Sequence, residues 1–218
     1  MDLSFIVKSS SVYAAAAKTT VLMAAGGVAL AVLIGLFCAL VRYYRLPLLR
    51  QAAGVYIELS RNTPLMIQLF FLYFGLPKVG LRLESVTCAI IGLAFLGGSY
   101  MAEAFRGGLE AVGRTQIEAG LSVGLNRPQL IRYVILPQAL AVAVPGIAAN
   151  TIFLMKETSV FSIIAMPDLV YVFKDLIREG HSNENSLLLV GFYLIIILPV
   201  SLLFRAWEGR LRRAGFGS

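Results

Sequence analysis

The sequence predicts an all-α membrane protein with five transmembrane helices, and three observations carry that expectation. Of its 218 residues 58% are hydrophobic and only 14% are charged. The mean hydropathy is +0.80, more apolar surface than one soluble core of this size can hide. The charges are also clustered, leaving stretches long enough to cross a hydrocarbon layer of about 30 Å, which takes roughly 20 mostly apolar residues. Finally, the arginines and lysines fall unevenly between those stretches.

Taken in order, the first span is expected over about 19–41, where no charge interrupts Thr19 to Val41. The second, about 62–77, is shorter than the rule asks, and Gln51 to Ser60 upstream adds turns at the interface or the helix tilts. The third is expected over about 85–105, the fourth over about 133–155 and the fifth over about 185–204. The ten residues from Thr158 to Pro167 are too few to span and read as a short re-entrant or interfacial helix. With no internal repeat and no low-complexity linker, residues 1–218 read as a single membrane domain.

Loops retained on the cytoplasmic side carry the basic excess. With the N-terminus outside and the C-terminus inside, the inner segments hold Arg42, Arg45, Arg50 and Arg61, then Arg106, Arg114, Arg127 and Arg132, then Arg205, Arg210, Arg212 and Arg213. The opposite orientation leaves only Lys8, Lys18, Lys78, Arg82, Lys156, Lys174 and Arg178 inside. The net charge of +7 is therefore a topology signal, and no nucleic-acid partner is expected. No cleaved signal peptide is expected either, because Phe5 to Val7 is too short an apolar region ahead of Lys8.

Enzyme signatures are lacking: the sequence holds no phosphate-cradling GxxxxGK[ST], no HExxH, no CxxC and no GxSxG. No catalytic residue, no metal site and no cofactor of its own are expected. Cys38 and Cys88 fall inside spans, with packing as their expected role, and the single histidine, His181, falls in a polar outer loop.

The segment from about 107 to 132 is too long for a simple turn. Ile117, Leu121 and Leu125 recur at helical spacing, Gly124 stands where a helix can end, and Asn126, Pro128 and Gln129 offer a capped new start. The pattern is helix, tight turn, helix, with an apolar stripe that needs a partner. Leu136 and Pro137 mark the start of the fourth span, where a proline is tolerated.

Ionisable groups at membrane depth are costly unless they are paired or line a polar cavity. Lys156-Glu157-Thr158-Ser159 reads either as a helix end surfacing at the outer interface or as a polar patch on a substrate pathway. Glu103 is placed to pair with Arg106 one turn on, or to line that pathway.

Glu118-Ala119-Gly120, Gly124 and Val134-Ile135-Leu136-Pro137 resemble the EAA loop of ABC importer membrane subunits, with its spacing complete. Gly120 stands for the second alanine of that pattern and Val134 for its isoleucine. Tyr56-Ile57-Glu58, Arg61-Asn62-Thr63-Pro64-Leu65, Gln68 and Tyr73 to Pro77 look like the signature of the polar amino acid subfamily. So do Glu103, Arg106-Gly107-Gly108 and Lys156-Glu157-Thr158-Ser159, where aspartate often replaces Glu157.

The resemblance implies the type I permease fold, multi-pass in the bacterial inner membrane. It implies two such subunits side by side, alike or merely similar, two ABC ATPase subunits beneath that bind the ATP and magnesium, and an extracytoplasmic amino-acid-binding protein above. Glu118, Ala119, Gly120, Gly124, Leu136 and Pro137 become the residues coupling to the ATPase. Glu157, Thr158 and Ser159, with Lys156 and Glu103, become candidates for the substrate pathway. The alternatives are a permease for another small solute such as methionine and, in a different class, an ion-coupled secondary transporter.

Overall fold

The computed structural model describes residues 3–179 and 182–216, and these are helical almost throughout; His181 lies outside the described residues. The helices are α1 (Leu3–Tyr43), α2 (Pro47–Arg61), α3 (Leu65–Phe70), α4 (Ser85–Glu110), α5 (Arg114–Ser122), α6 (Arg127–Leu130), α7 (Leu136–Glu157), α8 (Leu169–Leu176) and α9 (Ser182–Phe216). Four helical stretches are long and apolar enough to cross a membrane: Ser4–Tyr43, Ser85–Glu110, Arg127–Ile164 and Ser182–Leu211. Leu65–Val79 is apolar but shorter.

The core is the seam between α1 and α4, the most extensive helix pairing of the described residues. In lipid, helices associate by close packing of small residues rather than by excluding water. Gly35 shows how tight the seam is: a Cβ built there would lie 2.8 Å from the backbone nitrogen of Ala102, so α1 and α4 touch backbone to backbone. Around this contact Ala31, Leu93, Met101 and Leu154 are buried, with α7 closing the other flank of α4.

Residues 47–61 form a helix of their own, α2, which buries Ala53, Ile57 and Ser60 and packs on α4 and α1. Tyr56 and Ser60 both donate to the carbonyl of Phe95, at 2.7 and 2.9 Å, and the Ser60 and Ser99 hydroxyl oxygens lie 3.0 Å apart. Helix-to-helix hydrogen bonds of this kind hold together elements that lipid alone would not drive into contact.

Two helices loosen by one turn immediately ahead of a proline. Phe71–Gly75 and Ile131–Ile135 are π-turns, and each is followed by Leu-Pro, at Leu76-Pro77 and at Leu136-Pro137. Proline lacks an N–H and crowds the carbonyl one turn back; a wider turn there leaves the crowded carbonyl room. Because of it, α6, the π-turn and α7 run without a break, as one rod of about 45 Å from Arg127 to Glu157.

Candidate functional site

Two candidate regions stand at opposite ends of that rod. At the first, α5 ends on Gly124 with φ +85°, a left-handed conformation that glycine adopts without penalty. The amide of Leu125 donates to the carbonyl of Gly120 at 3.1 Å, and that of Gly124 to Leu121 at 3.0 Å, so a Schellman motif closes the helix. Two residues later Asn126 caps α6. Its side chain accepts from the Gln129 amide at 3.0 Å, while the Gln129 side chain accepts from the Asn126 amide at 2.9 Å. This is the reciprocal capping box the sequence spacing calls for.

Gly120 is buried under Leu130, whose methyl would lie 2.5 Å from a Cβ placed at that glycine, so the second alanine of the EAA pattern would require the Leu130 side chain to shift. The hairpin's outer face is open. Glu118 and Ala119 are exposed, as are Leu121 and Val123, the latter 78% accessible. Leu121 and Val123 thus give an otherwise polar hairpin an exposed apolar face.

At the second region, α2 breaks at Asn62-Thr63-Pro64 before α3 begins. The freed carbonyls are satisfied by side chains: Asn62 Nδ2 donates to Glu58 O at 2.8 Å, Thr63 to Leu59 O at 2.8 Å, and Gln68 Nε2 to Ser60 O at 3.2 Å and Thr63 O at 2.9 Å. In a membrane domain, freed backbone is tolerated when it is satisfied in this way or lines a cavity. A cavity of about 390 Å³ opens against the break, lined by Arg61, Asn62, Thr63, Tyr100, Phe153 and Glu157 among others. The Arg61 guanidinium lies 5.1 Å from the centre of the Tyr100 ring, a cation–π contact that holds it against the wall. Tyr100 is fixed in turn by Phe153, ring centres 5.2 Å apart, and by Asn150, which donates to its carbonyl at 3.0 Å.

The structure separates residues that adjoin in sequence. Around a helix, successive side chains point about 100° apart. Glu157 therefore faces the cavity while Lys156 faces a groove along α9, beside Leu189 and Tyr193. Thr158 is fully buried and donates to the Met155 carbonyl at 2.8 Å; Ser159 is half-buried.

Glu103 lies elsewhere, toward the hairpin end of α4, and pairs with Arg106 at 2.6 Å as expected from its spacing. It also binds Arg42 of α1 at 2.5 Å, and Arg106 extends the chain to Glu110 at 2.6 Å. Sequence reasoning missed two of these partners. Arg42 is remote in the chain, and Arg61 was read as one more inner-loop charge.

A helical membrane domain with a capped hairpin at one end of a long apolar rod, and a cavity with charged and polar residues on its lining at the other, fits a transport permease. The chain belongs to the family described as binding-protein-dependent transport system inner membrane component, which matches residues 31–214. It is 35% identical over 182 residues to the probable glutamine ABC transporter permease protein GlnP of Bacillus subtilis (strain 168), covering 81% of this chain and 83% of that one. It is 34% identical over 199 residues to the glutamine transport system permease protein GlnP of Escherichia coli (strain K12), covering 90% and 91%. Among solved structures, a chain of an amino acid ABC transporter crystallised with histidines superposes with a TM-score of 0.87 at 30% identity, covering 96% of this chain and 99% of that one. The chain is thus an integral inner-membrane transport subunit of the type I permease fold, and ATP hydrolysis is the work of a separate subunit.

Proposed function

We propose that this subunit passes polar amino acids across the bacterial inner membrane through the cavity at the α2–α3 break. The observation that carries the proposal is the placing of a guanidinium, Arg61, and a carboxylate, Glu157, on the lining of one cavity. An amino acid carries a carboxylate and an ammonium, and charges of both signs match it; the relatives are named as glutamine and amino-acid permeases. Glu157 takes the ammonium end and Arg61 takes the carboxylate.

The full assembly holds two permease subunits, identical or merely similar, two ABC ATPases docked on the hairpins, and an extracytoplasmic amino-acid-binding protein. Residues 1–218 act as one domain with five spans, the shorter Leu65–Val79 helix continuing α2 across the membrane as the second, and with the N-terminus outside and the C-terminus inside. ATP binding draws the ATPases together, and Glu118, Ala119, Gly120 and Gly124 pass that movement to the α6–α7 rod at Leu136 and Pro137. The rod ends at Glu157, so a displacement of the hairpin reaches the cavity through one continuous element, as alternating access requires.

The test is ATP-driven uptake of a radiolabelled amino-acid panel into proteoliposomes holding this chain with its ATPase and binding protein. Saturable uptake of polar amino acids that disappears without the ATPase is expected. ATP hydrolysis with uptake of none of them would discard the substrate class.

A further inference from the structure

We propose that the cavity at the α2–α3 break is built for an amino acid with a carboxamide side chain, and that Asn62, Thr63 and Tyr100 recognise that group. The proposal rests on the reading of this cavity as the substrate site and adds which amino acids it takes. All three residues are on the lining.

Charge sets the first limit. Arg61 and Glu157 are the two charged side chains on the lining. Once they hold the carboxylate and the ammonium that every amino acid carries, neither sign is left to compensate a charged side chain. Leu96, Phe153 and Val160 make up much of the remaining wall, and a charge placed against such groups without a partner is strongly disfavoured. The side chain taken is therefore uncharged.

Hydrogen bonding sets the second limit. Asn62 Nδ2 donates to the Glu58 carbonyl at 2.8 Å and lies 3.3 Å from Glu58 Oε2. A carbonyl can only accept, so the nitrogen of the Asn62 amide must be the atom turned toward it, and what Asn62 has left is its oxygen. Thr63 likewise uses its single hydroxyl hydrogen on the Leu59 carbonyl, at 2.8 Å, and keeps only lone pairs. These bonds are the ones that satisfy the freed carbonyls of the break, so the break that opens the cavity also sets the polarity of its wall.

Tyr100 supplies the opposite sense, because its phenol has a hydrogen to give. Its ring is held between the Arg61 guanidinium and Phe153. A carboxamide brings two N–H hydrogens and one carbonyl, and these residues match it with two oxygens that accept and one hydroxyl that donates. A carboxylate of the same shape brings acceptors alone, and a negative charge. A site made to pair with one polar group discriminates against an isostere that leaves the site's own groups unpaired.

The experiment is equilibrium binding of radiolabelled glutamine to the assembled permease–ATPase complex in nanodiscs, displaced by unlabelled glutamine, glutamate or lysine. The binding protein is omitted, because its own selectivity would mask that of the cavity. Glutamine is expected to bind at least about tenfold more tightly than glutamate or lysine. Thr63→Val and Tyr100→Phe, which keep the shape and remove a hydroxyl, are each expected to weaken glutamine about threefold or more and to leave glutamate unchanged. A residue that only held the helix break would weaken both ligands equally. Glutamate or lysine binding as tightly as glutamine, or a glutamine-to-glutamate ratio that both variants leave unchanged, overturns the carboxamide assignment while the cavity remains the substrate site. Glutamine binding unaltered in both Glu157→Ala and Arg61→Gln places the substrate elsewhere and overturns the two readings together.

Discussion

Glu103 and Arg42, at matching depths on α4 and α1, meet at 2.5 Å, and the second oxygen of the same carboxylate holds Arg106 at 2.6 Å. One carboxylate thus ties together two helices whose seam is otherwise mainly apolar. The arrangement predicts an asymmetry among variants. Glu103→Gln leaves Arg42 unpaired and Arg106 with Glu110 alone, whereas Arg42→Gln leaves Glu103 still held by Arg106. Partly exposed ion pairs are worth about 1 kcal/mol or less each. Glu103→Gln is therefore expected to lower the melting temperature in detergent by several degrees, and Arg42→Gln by less. Equal losses would show that the two pairs do not share one carboxylate in the way described.

The hairpin prediction rests on Gly124. A side chain at φ +85° costs on the order of 1–2 kcal/mol, and asparagine tolerates that conformation better than a β-branched residue does. Gly124→Val is expected to insert in the membrane and assemble, yet to cut ATP-driven uptake far more than it cuts ATP hydrolysis. Gly124→Asn should retain most of both. Open space surrounds the position, so a Gly124→Asn variant as uncoupled as Gly124→Val would mean that contact with the ATPase, rather than the backbone turn, is what fails.

For the polar cavity, Glu157→Ala and Arg61→Gln are each expected to raise the substrate concentration giving half-maximal uptake about tenfold or more, since a charge-assisted hydrogen bond contributes roughly 1.5–3 kcal/mol. Lys156→Gln should alter it little, because that ammonium faces α9. The comparison is made with binding protein and ATPase held constant. A Lys156 variant as impaired as the Glu157 variant would place the pathway on the other face of α7.

Asp168 supplies a pH dependence. It caps α8, accepting from the Tyr171 amide at 2.8 Å, and is fully buried with its other oxygen unpaired among the described residues. Burial pushes its pKa up to about 6, against the hydrogen bonds that favour the charged form. The folded protein thus binds a proton here that the unfolded chain, with an ordinary carboxyl near 3.9, releases. The stabilisation is complete below that lower value and is lost as the pH rises through about 6. Within the window the slope is on the order of 1 kcal/mol per pH unit. Melting curves at pH 5 and pH 7 should differ for the parent protein and differ less for Asp168→Asn. An unchanged difference in the variant would assign the pH effect to other groups.

What the sequence revealed and what it concealed divides by chain separation. The hairpin was legible because its determinants are local: Gly124 and the Asn126–Gln129 box act within a few residues of each other. The long apolar helices were legible from charge spacing alone. α2 was hard to read because Arg50, Glu58 and Arg61 dilute it, and its buried stripe of Ala53, Ile57 and Ser60 is narrow. The cavity was the least legible, because Arg61 meets Tyr100 and Glu157 only after α2, α4 and α7 have packed, and no periodicity encodes such a meeting. The Lys156–Ser159 run looked like one patch because adjacency in sequence hides rotation about the helix axis.

The close approach of Gly35 to Ala102 also sets an order of events during synthesis. α1 is made first, but the helix that fills its small-residue face is complete only when residue 110 has left the ribosome. At about 5–20 residues per second, that face waits several seconds. During that interval lipid, or a neighbouring protein of the insertion machinery, must stand in for α4, and it must leave again as α4 arrives. Biogenesis of this subunit therefore contains an exchange of partners along α1, and a bulkier residue at position 35 would obstruct its final step while leaving the earlier ones intact.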